Sequence, residues 1–206
     1  MTFYGQFSPQ QDEYLFNNFF KNKKNGISIE AGASNGVLEN NTKFFEETLE
    51  WKTINVEPLP IWYEQLCKNR PNSVNLNYAL HQDENETDIH FHIPNIEKYK
   101  LENHLGSLNN DNLLKYNREI KTITVKTITF NKIIEMNNLK EINLFILDIE
   151  GYELEFLKSF DEWLIYPEIF CVEIGHLDEN KINNIVLKKY DLYGKHFVNN
   201  IYVLKK

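Results

Sequence analysis

The amino-acid sequence predicts a doubly wound α/β protein, a mostly parallel sheet with helices on both faces and an antiparallel strand pair at its C-terminal end. Three observations predict it. Short apolar runs such as Leu144 to Ile149 alternate with segments of helical periodicity. Several runs end in an acid, a glycine or a proline, where strands of such sheets turn into helices. Finally, 206 residues, 42% of them hydrophobic, suffice for one sizeable core.

The elements follow in order. Asp12 to Phe20 carries Leu15, Phe16, Phe19 and Phe20 on one face, so a helix is expected, with Gly26 as its stop signal. Ile27 to Ala31 is a short strand running into a glycine turn. Thr42 to Leu49 is a helix, with Phe45 and Leu49 at i, i+4. Lys52 to Glu57 is the second strand, and Pro58 and Pro60 open a helix through Trp62 and Leu66. Ser73 to Leu80 reads as a third strand. Residues 83–121 are less regular: Thr87 to Ile93 alternates like a strand, whereas His104 to Tyr116 is polar, Asn-rich and loop-like. Regularity returns with a strand (Ile123 to Thr127) and a helix around Phe130, Ile133 and Ile134. The apolar strand Leu144 to Ile149 and a helix with Leu154 and Leu157 come next. A strand (Ile169 to Ile174), a helix from Asp178, and the terminal pair Asp191 to Tyr193 and Phe197 to Leu204 complete the chain.

Composition narrows the function. The net charge is −8, which disfavours nucleic acid, because a phosphate backbone calls for a basic surface. No apolar run approaches a membrane span, and Met1 to Gln11 has neither the basic nor the apolar region of a signal peptide. Cys67 and Cys171 lie far apart and read as reduced, mostly buried thiols, so a cytoplasmic protein is expected. The 14 Phe and 11 Tyr offer surface for a core and for stacking on flat ligands.

Parallel sheets bind ligands beyond the carboxyl ends of their strands. Four stretches there carry chemistry. Glu30-Ala31-Gly32-Ala33-Ser34-Asn35-Gly36 is a glycine turn after a strand, spaced GxxxG, with an acid where a phosphate would be repelled and a cation welcomed. Glu57 ends the second strand about 20 residues on, where an acid accepts hydrogen bonds from ribose hydroxyls. Taken singly, each has a plainer reading, a conformational turn and a helix-capping acid; together they favour an adenosine-type site. Asp148-Ile149-Glu150-Gly151 ends the apolar strand, and Asp148 is the candidate base or metal ligand, while Glu153 reads as a helix first-turn acid. Glu173 and His176 follow the next strand and could join Asp148 as a carboxylate–carboxylate–imidazole set for Mn or Mg, or as an acid/base pair; a lone loop His is more often surface. His90 and His92 alternate on a strand and are expected to face solvent.

Together these motifs resemble the FkbM family of S-adenosylmethionine-dependent methyltransferases. The resemblance runs through Gln6 and Gln11-Asp12, the IEAGASNG stretch from Ile29 to Gly36, Asn41-Thr42, Glu46, Trp51, Val56-Glu57-Pro58, Asn69-Arg70, Ala79-Leu80 and Asp148-Ile149-Glu150-Gly151-Tyr152-Glu153. Asn40, Asn35 and Glu50 depart from its common residues. It implies a seven-stranded Rossmann-like methyltransferase sheet spanning residues 1–206 as one domain, with residues 83–121 as a substrate-side insertion. It also implies S-adenosylmethionine as cofactor and a hydroxyl acceptor, usually on a sugar or polyketide. By resemblance, Glu30, Gly32, Ala33 and Gly36 lie against the methionine moiety and Glu57 and Pro58 against the ribose. Ala79 flanks the adenine, and Gln6, Asp12, Asn41 and Thr42 close over the amino-acid end. Asp148, with His176, is expected to do the acid/base work, and Asp148, Glu173 and His176 to hold any metal. Ser107, Asn109 and Asn110 are expected to cover a small-molecule or glycan substrate. A nicotinamide-dependent oxidoreductase fits Glu57 but not Glu30 or the glycine spacing, and a non-catalytic nucleotide-binding module would have no need of Asp148.

Overall fold

The computed structural model describes residues 1–94, 120–175 and 177–206. Its main sheet has seven strands: β1 (Ile27–Ala31), β2 (Lys52–Val56), β3 (Val74–Leu76), β7 (Leu144–Leu147), β8 (Ile169–Glu173), β9 (Tyr190–His196) and β10 (Asn199–Leu204). They lie in the order β3-β2-β1-β7-β8-β10-β9. The first five run parallel, and β10 runs antiparallel to both β8 and β9. The order reverses at β1, so the crevice between β1 and β7 is the topological switch point. A small second sheet, β4-β6-β5, contains β4 (Ala79–Leu80), β5 (Asp88–Pro94) and β6 (Ile120–Ile128).

The helices are α1 (Gln11–Leu15, continued by a π turn at Phe16–Phe20), α2 (Lys43–Leu49) and α3 (Pro60–Asn69) before the second sheet. After it come α4 (Phe130–Met136), α5 (Glu153–Phe156, continued by a 3-10 turn at Leu157–Glu162) and α6 (Glu179–Val186).

Strand alternation divides the core in two. Ile29, Ala31, Phe145, Leu147, Phe170 and Val172 face one side of the sheet. Leu144, Ile146, Ile169 and Cys171 face the other, where α1 and α2 bring Leu15, Phe16, Phe20, Phe44 and Phe45. Both faces of β7 and β8 are therefore apolar, which explains the continuous apolar runs. β1 differs: Ser28 and Glu30 occupy its second face, and Glu30 is buried beside Ile146.

The structure corrects two expectations. The stretch Ser73 to Leu80 is not one strand. β3 pairs with β2, the chain turns at Asn77-Tyr78, and β4 pairs with β6 in the other sheet. The first helix ends at Phe20, well before Gly26, which lies against the Trp51 ring. The alternation of Thr87 to Ile93 is borne out as a strand, since β5 pairs with β6 from Asp88↔Lys126 to Pro94↔Ile120. Ser107, Asn109, Asn110 and His104 lie outside the described residues, as does His176. Among the described residues no helix is long and apolar enough to cross a membrane.

Candidate functional site

A cleft opens over the carboxyl ends of β1, β2, β4 and β7, at the switch point. Its floor is Ala31 to Ser34. Glu57, Pro58 and Leu59 form one wall, with Tyr78, Ala79, Leu80 and Phe91 beside them, and Asp148 to Glu150 and Tyr152 form the other. Gln6, Leu38 and Glu39 stand at the rim. Of the sequence candidates, Gln6, Gly32, Ala33, Glu57, Pro58, Ala79 and Asp148 meet here.

The floor depends on Gly32. It has φ +84°, and a Cβ there would lie 1.8 Å from the Asp148 carbonyl oxygen. Only a glycine lets the first loop cross so close to the end of β7. Gly36 has φ +76° and is packed under Leu66 and Arg70, away from the cleft.

Glu57 secures the wall. One carboxylate oxygen accepts from Ser34 N at 2.9 Å and the other from Leu59 N at 2.8 Å. Burial nevertheless pushes its pKa up to about 7, the two backbone donors offsetting part of that. Both oxygens have lone pairs to spare for further donors.

Glu30 does not line the cleft. It is buried beneath the floor, where it accepts from Asn41 N at 2.8 Å and Thr42 Oγ1 at 2.6 Å. Burial raises its pKa. Asn41 and Thr42 thus fasten the start of α2 to the end of β1. Asp12 also lies away from the cleft: its carboxylate accepts from Tyr4 N and Gly5 N and pins the N-terminal arm. That arm carries Gln6, whose amide donates to Glu39 at the rim.

A buried arginine braces the whole loop. Arg70 is 1% exposed and pairs with Glu46. It also donates to Asn40 Oδ1 at 2.7 Å and to the Gly36 carbonyl at 3.3 Å. Asn40 in turn accepts from Lys43 N at 2.9 Å.

The far end of the cleft is acidic. Alternation puts Asp148, one residue past β7, on the same face as Ile146, and Glu173 on the same face as Cys171. Leu147 pairs with Val172, so the two acids fall side by side. Asp148, Glu153 and Glu173 each offer an oxygen within 4.8 Å of the others. Burial, then Glu173, raises Asp148 well above the usual carboxylate range. Burial lifts Glu153 and Glu173 to about 7, and burial with Asp148 nearby lifts Glu150 to about 8. Two carboxyl groups this close disfavour double ionisation, which adds to burial in raising the affinity of Asp148 for a proton. Such a cluster can take up a proton or face a positive charge.

Sequence reasoning missed Glu153. It does lie in the first turn of α5, but it is fully buried and its oxygens accept from Ile149 N at 2.8 Å and Gly151 N at 2.9 Å, closing the turn at the cleft's edge. The acid at i+4 from Ile149 was the available signal. Glu39, Tyr78, Phe91 and Tyr152 were missed as lining residues because each comes from a different element. Tyr152 is fixed by donating to Gln82 Oε1 at 2.9 Å and by stacking on His81. His90 is exposed, as expected.

S-adenosylmethionine suits this cleft. Leu59, Tyr78, Ala79, Leu80 and Phe91 make an apolar slot for a flat base. Glu57 offers acceptors for vicinal hydroxyls, and carboxyl groups surround the place for a positive charge. The fit to a divalent metal is poorer. The oxygens are of the type Mn or Mg take, but those of Glu153 already hold two backbone N–H groups.

Residues 30–193 match the FkbM methyltransferase domain. No curated protein matches the chain in sequence. Among solved structures, the chain is similar to a protein assigned as an rRNA-methylase from Clostridium thermocellum, with a TM-score of 0.48, 11% identity and 100% and 98% of the two chains covered. It is also similar to the METTL16 MTase domain, with a TM-score of 0.45, 9% identity, and 95% of this chain and 65% of that one covered. For the human methyltransferase 10 domain containing protein the TM-score is 0.43 and the identity 10%, with 93% and 78% covered.

Proposed function

This chain belongs to the FkbM methyltransferase family, and from that premise we propose that residues 1–206 act as one domain that methylates a hydroxyl of a sugar or glycan. The observation that supports the reading is a cleft lined by Glu57 on one wall and by Asp148 and Glu150 on the other, with Glu173 beside Asp148 on the neighbouring strand. Bound S-adenosylmethionine supplies an electrophilic methyl on a positive sulfur, which leaves as a neutral thioether.

The chain's residues do the rest. Glu57, beside Pro58, accepts from the ribose hydroxyls, and Ala79 lies against the adenine. Gly32 and Ala33 admit the methionine portion, while Glu30, Gly36, Asp12, Asn41 and Thr42 act one layer back by holding the loop that does so. Gln6 closes the rim. An alcohol is a weak nucleophile, so alignment supplies much of the rate and a base the remainder. Asp148 and Glu173 are that base: the acceptor's proton passes to the carboxyl pair as its oxygen bonds to the methyl. His176 is proposed as a further acid/base group from its position two residues past Ile174.

The metal reading of Asp148, Glu173 and His176 differs in its outcome. It requires activity to vanish on chelation, whereas a carboxyl base requires activity to survive it.

The test is a panel of glycosides and glycans incubated with labelled cofactor and read by the gain of one methyl. Transfer to a sugar hydroxyl that drops about 10²- to 10⁴-fold in Asp148→Asn, with cofactor still bound, is expected. Transfer to RNA or protein with none to sugars would overturn the acceptor assignment.

A further inference from the structure

Phe7 and Phe197 come from opposite ends of the chain and meet outside the apolar cores of the described residues. Their rings stack with centroids 4.4 Å apart and planes 10° from parallel. Phe197 is 52% exposed, so burial in a core does not account for its place.

Both residues hold a backbone conformation that a bulky side chain resists. Phe7 has φ +75° and Phe197 φ +54°, and among the described residues no other aromatic residue has a left-handed φ. Phe197 is the first of the two residues that turn β9 into β10. A two-residue hairpin with only its first turn residue left-handed ordinarily takes glycine there, so this one would close at less cost without the ring. Strain of this kind persists where surrounding contacts impose it, and it gathers at ligand clamps.

The contacts lead to the cleft. Phe7 follows Gln6, which lines the cleft and donates to Glu39 Oε2 at 2.8 Å. Glu39 lines it too, has a left-handed φ of +55°, and its backbone bridges to Gly5. Beyond Phe7 the chain returns to α1, where Gln11 N donates to the Gln6 carbonyl at 3.0 Å. The turn that carries Phe197 is fastened to the same residue. His196 Nδ1 and Asn199 Nδ2, one on each side of the turn, reach Gln11 Oε1 at 2.6 and 3.3 Å. The His196 ring also stands edge-on to both phenylalanines. The turn is therefore fixed to α1, and Phe7 ties the loop of residues 6–10 to it.

We propose that Phe197 is a positioning residue for the cofactor: its stack on Phe7 clasps the loop that carries Gln6 and thereby sets how fast S-adenosylmethionine leaves the cleft. The inference rests on the reading of the cleft as the cofactor site and adds a residue that does not line it. With the rings stacked, Gln6 and Glu39 are held together at the rim; with the rings apart, Gln6 is free to swing away from Glu39. Aromatic pairs are weak contacts, so the clasp can open at each exchange of cofactor.

The experiment measures the dissociation rate of S-adenosylhomocysteine from the immobilised full chain by surface plasmon resonance. Phe197→Gly should release it about two- to tenfold faster, the range that loss of one aromatic pair supports. Its melting temperature should stay near the native value, because glycine adopts φ +54° freely and the ring lies outside the cores. Phe7→Gly should behave alike, the double variant should release no faster than either single one, and Phe197→Tyr, which keeps the stack, should release at the native rate. In the ligand-free chain the Gln11 amide, bonded to the Gln6 carbonyl, should exchange its hydrogen faster in Phe197→Gly. Native release or native Gln11 exchange in Phe197→Gly, or single effects that multiply in the double variant, overturns the proposal and leaves the cofactor reading intact. Failure of S-adenosylhomocysteine to bind the native chain overturns that reading and the clasp with it.

Discussion

Replacing Glu57 by glutamine tests the cofactor wall most directly. The side chain keeps its shape, but only one of its two terminal atoms still accepts. In the native chain both oxygens are engaged, by Ser34 N at 2.9 Å and Leu59 N at 2.8 Å. Whichever way the amide turns, its NH2 group faces a backbone N–H. Leaving one buried donor unpaired costs about 1–3 kcal/mol of stability. Part of that is recovered above pH 7, because the native carboxylate is ionised there against its own burial. The effect on binding is separate. Loss of charged hydrogen bonds from the ribose is worth about 1.5–3 kcal/mol, a weakening of roughly 10- to 150-fold. Calorimetry with S-adenosylhomocysteine at pH 8 measures it, and a thermal melt shows how much folded protein is present. The pH dependence supplies a second reading: native affinity should fall as pH drops through about 7, where Glu57 protonates, and the glutamine variant should lose that component. A folded variant that binds as tightly as the native chain would remove Glu57 from the cofactor site.

Two further outcomes are expected. The acidic cluster should make the ligand-free chain less stable as pH rises. Glu57, Glu153 and Glu173 sit at about 7 and Glu150 at about 8 in the folded chain, against 4.5 for an ordinary glutamate. The folded state therefore binds protons more tightly, so their contribution is full below pH 4.5 and lost as pH climbs through 7 to 8. A melting temperature that rises from pH 6 to pH 9 would contradict it. Gly32→Ala should destabilise the chain by about 3 kcal/mol or more, since its methyl group would lie 1.8 Å from the Asp148 carbonyl at a left-handed φ. Chemical denaturation checks this, and native-like stability would mean that the loop does not cross β7 as described.

The sequence by itself determined the alternation of strands and helices, and with it the parallel sheet and the edge on which chemistry lies. It did so because strand and helix periodicities are local. The apolar runs of β7 and β8 are continuous since both of their faces are buried, and each is closed by an acid at the carboxyl edge, Asp148 and Glu173. Glu57 and Gly32 were legible for the same reason: each ends a strand or turns directly after one. What only tertiary structure decided depends on register and on which strand lies beside which. The pairing of Leu147 with Val172 brings Asp148 and Glu173 into contact across 25 residues of sequence. The break at Asn77-Tyr78 sends one apparent strand into two sheets, because β4 finds β6 while β3 finds β2. Glu30 was legible as a strand-end acid, but its place beneath the floor came from Asn41 and Thr42 folding over it. Glu153 read as helix decoration because burial, not spacing, turns its carboxylate inward to close the turn at Gly151. Burial is a property of the assembled sheet and helices, and it also raises the pKa values of the acids around the cleft.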